Sequence, residues 1–457
     1  MDNEQGEVDG NGAGGTDART RFFYSFANLG IAIPTAVIFN GIIAYYIVDV
    51  KKLPAAWFAA FGIFCTVYNA ITKPAIGHLS DRTRSRFGRR IPYIKFSALP
   101  YVIMFALLFF IPFDGRNRPV QLLLTYGFLM VIWQTLYSFL GTGYYGLLPE
   151  MFDSYKDRTD VAAKMNIFQI AGLFTGVALT PMLGVKLGWK LMAIILASVS
   201  AFAIFSGVRV LFETSASKNN EYLPIKDAFK STYTNRSFIT AAMSQALRFF
   251  GTGILTTGMM FYLKYSMKVD PSRASLIMGI VFVSAALMLY PWRQIVAIRT
   301  DSRTTLILGN LIMVAGSVMV GFAHTMAYAY PGAFIIGTGL AGLILSGDVL
   351  ISEVIDEDYL KTGIQRAGIF YGMISIWTAF GSILVNVIFG YMTTAFGYNP
   401  LLEVQPATVD MGFRLFMTIP ASAGFLLSVG ALMFYPLNRK KIQEIKAALN
   451  ARKNSGR

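Results

Sequence analysis

The sequence predicts an all-α polytopic membrane protein, with twelve transmembrane helices in two pseudo-symmetric six-helix bundles. Three observations carry this. The 457 residues are 54% hydrophobic and only 14% charged, where a soluble chain would have about a quarter of its residues charged. Apolar runs of about 20 residues, each long enough to cross a hydrocarbon core as a helix, recur from Phe22 almost to the C-terminus. Lys and Arg fall unevenly on the segments between those runs.

Residues 1–20, MDNEQGEVDGNGAGGTDART, are acidic and Gly-rich. They lack the basic start and apolar middle of a cleaved signal peptide and read as a disordered cytoplasmic tail. The first span is then its own insertion signal. Spans are expected at 22–48, 55–79, 91–112, 120–148, 165–187, 189–212, 237–263, 274–293, 304–323, 326–352, 367–396 and 412–436. Residues 213–236 form the longest polar stretch between spans, a central cytoplasmic loop. It separates a first bundle (21–212) from a second (237–437). Residues 438–457 make a basic, weakly amphipathic tail suited to the inner membrane surface.

With both termini inside, 28 of the 40 Lys and Arg lie at the cytoplasmic face, 10 at the external face, and Lys73 and Arg248 within spans. This bias follows the positive-inside rule. It accounts for the net charge of +15 as membrane orientation, so no nucleic-acid partner is expected. The one cysteine, Cys65, excludes an intrachain disulfide. His78 and His324 stand apart near span ends, so no metal site is indicated. No Ser-His-Asp set, phosphate loop or exposed carboxylate pair appears; neither an enzyme nor a cofactor is expected.

The fourth span of each half carries the same pattern, GTGYYGL at Gly141 and GTGLAGL at Gly337. Such glycines allow close helix approach, and the echo suggests duplicated halves. Two six-span halves about an axis along the membrane normal are the layout of major-facilitator transporters, with the solute held between them.

After the second span comes GHLSDRTRSRFGRRIPYI, with Asp81, Arg82, Arg84, Arg86, Gly88, Arg89 and Arg90. This resembles the loop G-x-x-x-D-R-x-x-x-R-x-G-R-R of major-facilitator transporters. More narrowly, DRTRSRFGRRIPYI resembles a segment of the glycoside–pentoside–hexuronide:cation symporters, whose best-known members are the melibiose permeases. Past the tenth span, SEVIDEDYLKTGIQRAGIFYG resembles the same family's second motif. Here Glu353 replaces the usual Asp, Asp356 is kept, and Arg366 lies in Gln-Arg-Ala where Arg-Arg-Glu is common. The resemblance covers about residues 20–440. Physically, a carboxylate at Asp81 can face a helix N-terminus of the other half and pair with an Arg, both favouring the state closed on the cytoplasmic side. The arginines can also anchor the loop on anionic lipid.

The second span aligns Gly62, Cys65, Thr66, Asn69, Thr72, Lys73, Ile76 and Gly77 on one face. In the symporter family this face resembles D-A-x-x-D-P-x-x-G, whose two acids help bind Na⁺, Li⁺ or H⁺. Here they are Asn69 and Lys73. The third family acid falls near Gly141, the sugar-binding Asp near Ala32 or Ile33, and the span-eleven Lys near Ala379. Three readings of Lys73 are open. It can stand as a tethered cation in place of sodium, leaving H⁺ coupling or uniport. It can hold an anionic solute. It can snorkel, being roughly five residues, or about 9 Å, from the helix end.

Arg248 lies near mid-membrane, where a charge is costly unless paired or hydrated. Asp348 is a candidate partner for it or for Lys73, or is solvated at the cytoplasmic end. Gln245, Thr252 and Thr256 share the Arg248 face. Tyr371, Ser375, Thr378, Ser382 and Asn386 form a polar line in the eleventh span. Trp133, Gln134, Tyr137, Tyr144 and Tyr145 lie in the fourth, and Asn166 and Gln169 in the fifth. Amides, hydroxyls and aromatic faces suit a sugar; they serve equally as glue between helices.

The resemblance implies a secondary transporter of a sugar, glycoside or uronate, functional as a monomer in a bacterial inner membrane. The alternative is an anionic amphiphile such as a lysolipid, or an amino-acid-like solute.

Overall fold

The computed structural model describes residues 17–83, 85, 88–152, 155–212, 235–297, 300–363 and 367–455. Most of the expected N-terminal tail and central loop, with Arg84, Arg86 and Arg366, lie outside the described residues; Asp81 and Arg82 are described in backbone only.

Twelve helices follow the predicted spans in order. They are α1 (Ala18–Phe39), α2 (Ala55–Arg82), α3 (Ile91–Leu107), α4 (Pro119–Met151), α5 (Tyr155–Leu173), α6 (Trp189–Val208), α7 (Arg236–Tyr265), α8 (Pro271–Pro291), α9 (Ser302–Gly321), α10 (Met326–Thr362), α11 (Ala367–Ala395) and α12 (Ala407–Met433). A polar helix α13 (Arg439–Ser455) follows. Among the described residues, ten helices are long and apolar enough to cross a membrane. The other two of the twelve are α3, apolar but of 17 residues, and α7, whose Gln245, Arg248, Thr252 and Thr256 dilute its apolar run.

The helix ends follow local chemistry. Asp17, Asn235 and Asp301 accept from backbone amides at the starts of α1, α7 and α9, satisfying otherwise orphaned donors. Gly363, at φ +72°, ends α10. The first span is not one helix. It breaks after Phe39 and resumes through Ile42–Ala44 and a π-helical Tyr45–Val50. Gly41 makes the break, with φ +83° and no room for a Cβ against Thr256 and Thr257 of α7. The fifth span likewise continues through a π-helical Phe174–Leu179 to Thr180–Leu187. Predicted ends were ten residues short at two places, the start of α5 at Tyr155 and the end of α10 at Thr362; the last turns of α10 face protein rather than lipid, with Glu353, Val354, Glu357 and Asp358 buried.

The packing repeats between halves. In the first, α1 lies on α5 and α6, α3 on α4 and α6, and α2 on α4. Adding six to each number gives α7 on α11 and α12, α9 on α10 and α12, and α8 on α10, all of them packed pairs. Between the halves α2 meets α11 and α5 meets α8, and the same operation exchanges these two contacts. Small residues permit the close approaches: Gly207 faces Ala27 where α6 meets α1, and Gly339 faces the Gly309 carbonyl where α10 meets α9. The outer surface is apolar, with Phe96, Leu124, Phe202 and Leu287 all more than 60% exposed. That is the surface a lipid environment requires.

Candidate functional site

The α2 stripe faces protein on two sides. The Tyr68 hydroxyl lies 2.7 Å from Thr135 Oγ1 of α4, and Gly77 fits against Thr142. Gly62 makes room for the Asn386 amide of α11, across the boundary between halves. Within the stripe, Thr66 and Thr72 donate to carbonyls one turn back, Gly62 and Tyr68. Their donors are spent inside the helix. Asn69 and Lys73 remain as the polar heads, and Asn69 Oδ1 is buried without a protein partner.

Lys73 Nζ sits 5.4 Å from the centre of the Tyr137 ring, within cation–π range. Thr135 and Thr142 bracket this level of α4, with Tyr137 on the Thr135 side. Lys73, an exposed residue, thus turns its ammonium towards the Tyr137 ring of α4. Tyr137 stacks on Trp133 at 5.6 Å, Trp133 stacks on Tyr101 at 5.3 Å, and Phe39 of α1 touches both Trp133 and Tyr137. Trp133 Nε1 and Gln134 Oε1 are buried without protein partners. One donor and two acceptors are thus left for water or solute in this part of the first half.

Next to it, the Tyr145 hydroxyl donates to Asn28 Oδ1 at 2.8 Å, and Asn28 Nδ2 donates to Gln169 Oε1 at 3.1 Å. This chain of hydrogen bonds ties α1, α4 and α5 together. Gly141 leaves the space between the Tyr137 and Tyr145 rings open, since a Cβ there would touch both.

In the second half Arg248 donates to the Leu343 carbonyl at 3.1 Å and to the Gln245 side chain. Gly347 of α10 provides the room its guanidinium fills. Asp348, exposed, acts on this charge electrostatically but forms no ion pair with Arg248 or Lys73. Arg248 is thus held by neutral acceptors rather than by Asp348, one candidate partner; the exposed Asp348 fits the alternative of a solvated acid. Asn386 donates to the Ser382 carbonyl at 2.9 Å, and Tyr371 is 45% exposed.

Of the cytoplasmic motif, Gly88 has φ +102° and its carbonyl accepts from Ser85 Oγ at 2.7 Å. Arg90 donates to the Gly146 carbonyl, clamping the loop onto α4. Arg89 and Asp356 are both half-buried. Glu353 is buried and accepts from Ser302 Oγ at 2.5 Å, so it binds the start of α9 within its own half.

Sequence reasoning missed one cluster. Asp49, 2% exposed, ends the first span and accepts from Lys264, Tyr265 and Tyr398, the last at 3.0 Å. One carboxylate of the first half is gripped by three donors of the second. Burial and the Asp49 charge push the Tyr398 hydroxyl well above its ordinary value, which keeps it a donor. A signal was present: Asp49 and Lys264-Tyr265 close the first and seventh spans, equivalent places in the two halves.

Comparisons with known proteins agree with this architecture. A mutant of the nucleoside transporter NupG superposes with a TM-score of 0.66 at 14% identity, covering 91% of this chain and all of that one. A bacterial homolog of the human lysosomal transporter Spinster, inward-facing and unoccupied, gives 0.63 at 14% identity, over 93% and 97%. At these identities the likeness shows the fold. An isoprimeverose transporter of Lactiplantibacillus pentosus is 24% identical, covering 92% of this chain and 88% of its own. A glucuronide carrier protein homolog of Escherichia coli is 22% identical, over 90% and 91%. An uncharacterized symporter of Synechocystis is 23% identical, over 95% and 97%. The MFS/sugar transport family matches residues 23–439, so the chain belongs to it and is a membrane transporter of small solutes rather than an enzyme.

Proposed function

We propose that this chain moves a sugar, glycoside or uronate by alternating access, without sodium coupling. The observation that carries the reading is Lys73, whose ammonium lies over the Tyr137 ring at one of the two positions where the resembling symporters keep cation-binding acids. With Asn69 at the other, no carboxylate of the α2 stripe offers itself to sodium, and a fixed positive charge opposes its entry. What remains is proton coupling or uniport. The half-buried Tyr137 ring, backed by Trp133, and the Tyr145 ring, 43% exposed, offer apolar faces for a pyranose. Asn69 Oδ1, Gln134 Oε1 and Trp133 Nε1 lie behind these rings without protein partners, and would meet its hydroxyls only if the halves part. The names of the isoprimeverose and glucuronide relatives support a solute of this class. An anionic amphiphile fits less well, because Arg248, its second candidate anchor, already binds Leu343 and Gln245.

We place the protein in a bacterial inner membrane as a monomer with both termini cytoplasmic. In this reading Asp81, Arg82, Arg84, Arg86, Gly88, Arg89, Arg90, Glu353, Asp356 and Arg366 gate the cytoplasmic side. Asp49 with Lys264, Tyr265 and Tyr398 latches the external side.

The test is uptake into proteoliposomes of neutral sugars, uronates and lysolipids, with and without sodium and proton gradients. Saturable sugar or uronate uptake indifferent to sodium supports the proposal. Sodium-driven uptake, or uptake of lysolipids alone, rejects it.

A further inference from the structure

The twelve expected spans contain one acidic residue, Asp348. It lies on α10 one turn past Ile344 and two past Leu340, which line the apolar cavity between α5 and α8. Asp348 therefore shares the face that α10 turns into the bundle. It is exposed, as is Tyr371 of α11, on which its charge acts. The same charge acts on Arg248 of α7, whose guanidinium packs against Gly347, the residue before Asp348. Yet among the described residues Asp348 forms no ion pair, with Arg248 or with any group of α8, α9 or α13.

An acid within a span is costly unless it is paired or hydrated. Arg248 has five donors, and those in use bind the Leu343 carbonyl and Gln245. Its spare donors are the natural target of an ionised Asp348, since pairing offsets part of the cost of both charges. Their separation here leaves Asp348 in water and free to take up a proton. The paired and separated arrangements differ in how α7 is tied to α10, because the Leu343 bond joins these two helices. From Arg248, α7 runs unbroken to Lys264 and Tyr265, about 24 Å along its axis. Those two residues hold Asp49 of the other half. The helix that answers to Asp348 is thus the helix that carries the latch. The α2 stripe, with Asn69 and Lys73, holds no carboxylate that could bind a proton.

We infer that Asp348 is the proton-coupling residue of this transporter and Arg248 the cation that its ionised form attracts, so that coupling resides between α7 and α10 of the second half. Asp348 takes one proton from water on one side of the membrane and returns it to water on the other as the halves rock; Arg248 stays charged throughout. The inference rests on the sodium-independent reading above and selects proton coupling over uniport.

The experiment has two arms, each in wild type, Asp348→Asn, Asp348→Ser and Asp348→Glu. The first needs no solute: distances between spin labels at the cytoplasmic ends of α4 and α10 are measured at acid and at alkaline pH. Wild type and Asp348→Glu should change their distance distributions with pH. Asp348→Asn and Asp348→Ser, which cannot ionise, should keep the acid form at both. The second arm is uptake of xylose, glucose and glucuronate under a pH gradient of about one unit, with the membrane potential clamped. Wild type should concentrate a transported solute up to about tenfold, the limit for one proton per solute. In the uncharged variants the ratio of gradient-driven uptake to exchange should fall about tenfold. A wild type blind to pH, or an uncharged variant that responds as wild type does in either arm, overturns the inference. Uptake of none of the three sugars, with a pH response that the uncharged variants lack, rejects the sugar reading and leaves Asp348 as the coupling residue.

Discussion

At the scale of single residues, Lys73 was legible because one charge stands out in an apolar run. Its direction was not, because a long stem reaches a helix end or a neighbouring ring equally well. In the structure its ammonium lies over the Tyr137 ring. Substituting Lys73→Met should cost the fold only about 0.5–1 kcal/mol, the value of an accessible cation–π contact. It should lower uptake of uronates about tenfold more than uptake of neutral sugars. Parallel melting curves and kcat/KM ratios in proteoliposomes check both statements; an equal loss for both solute types would remove Lys73 from the solute site. The partners of Arg248 were left open for a related reason. A guanidinium carries five donors, so a backbone carbonyl and an amide can hold it where sequence suggested a carboxylate.

At the scale of elements, the ends of the first and seventh spans form a latch that no local pattern announces. Asp49 read as the margin of a span, and its three donors lie 215, 216 and 349 residues away. Substituting Asp49→Ala removes charge-assisted hydrogen bonds worth about 2 kcal/mol each. Loss of even one such bond moves the population about thirtyfold towards opening on the predicted external side. Distances between spin labels at the ends of the first and seventh spans should lengthen. The exchange of Asp49→Lys with Lys264→Asp should shorten them again in part; a distribution unchanged in Asp49→Ala would show the latch to be idle. A second contact joins α2 to α11, where Gly62 accommodates Asn386. Gly62→Leu should push these helices apart and lower the transport rate at least tenfold in protein that still inserts, read as uptake per folded molecule. Near-normal uptake would show that this seam has slack.

At the scale of the whole molecule, six helices are packed twice in the same pattern, and the two inter-half contacts exchange under the same operation. Residues 213–236 should be reached only from the cytoplasm. In a Cys65→Ser background, single cysteines placed there should react with an impermeant maleimide in inverted vesicles and not in intact cells. Labelling from outside would reverse the orientation drawn from the 28-to-10 bias of basic residues.

Fold class, span order and the doubled plan were all readable along the chain. Each rests on lipid's demand for runs of apolar residues in hydrogen-bonded helices, a constraint that acts locally. The break at Gly41, the partners of Arg248, the grip on Asp49 and the apolar cavity between α5 and α8 were not readable. Each depends on which helix face meets which neighbour, and in a bundle whose spans are almost all alike in hydropathy, only three-dimensional packing makes that choice.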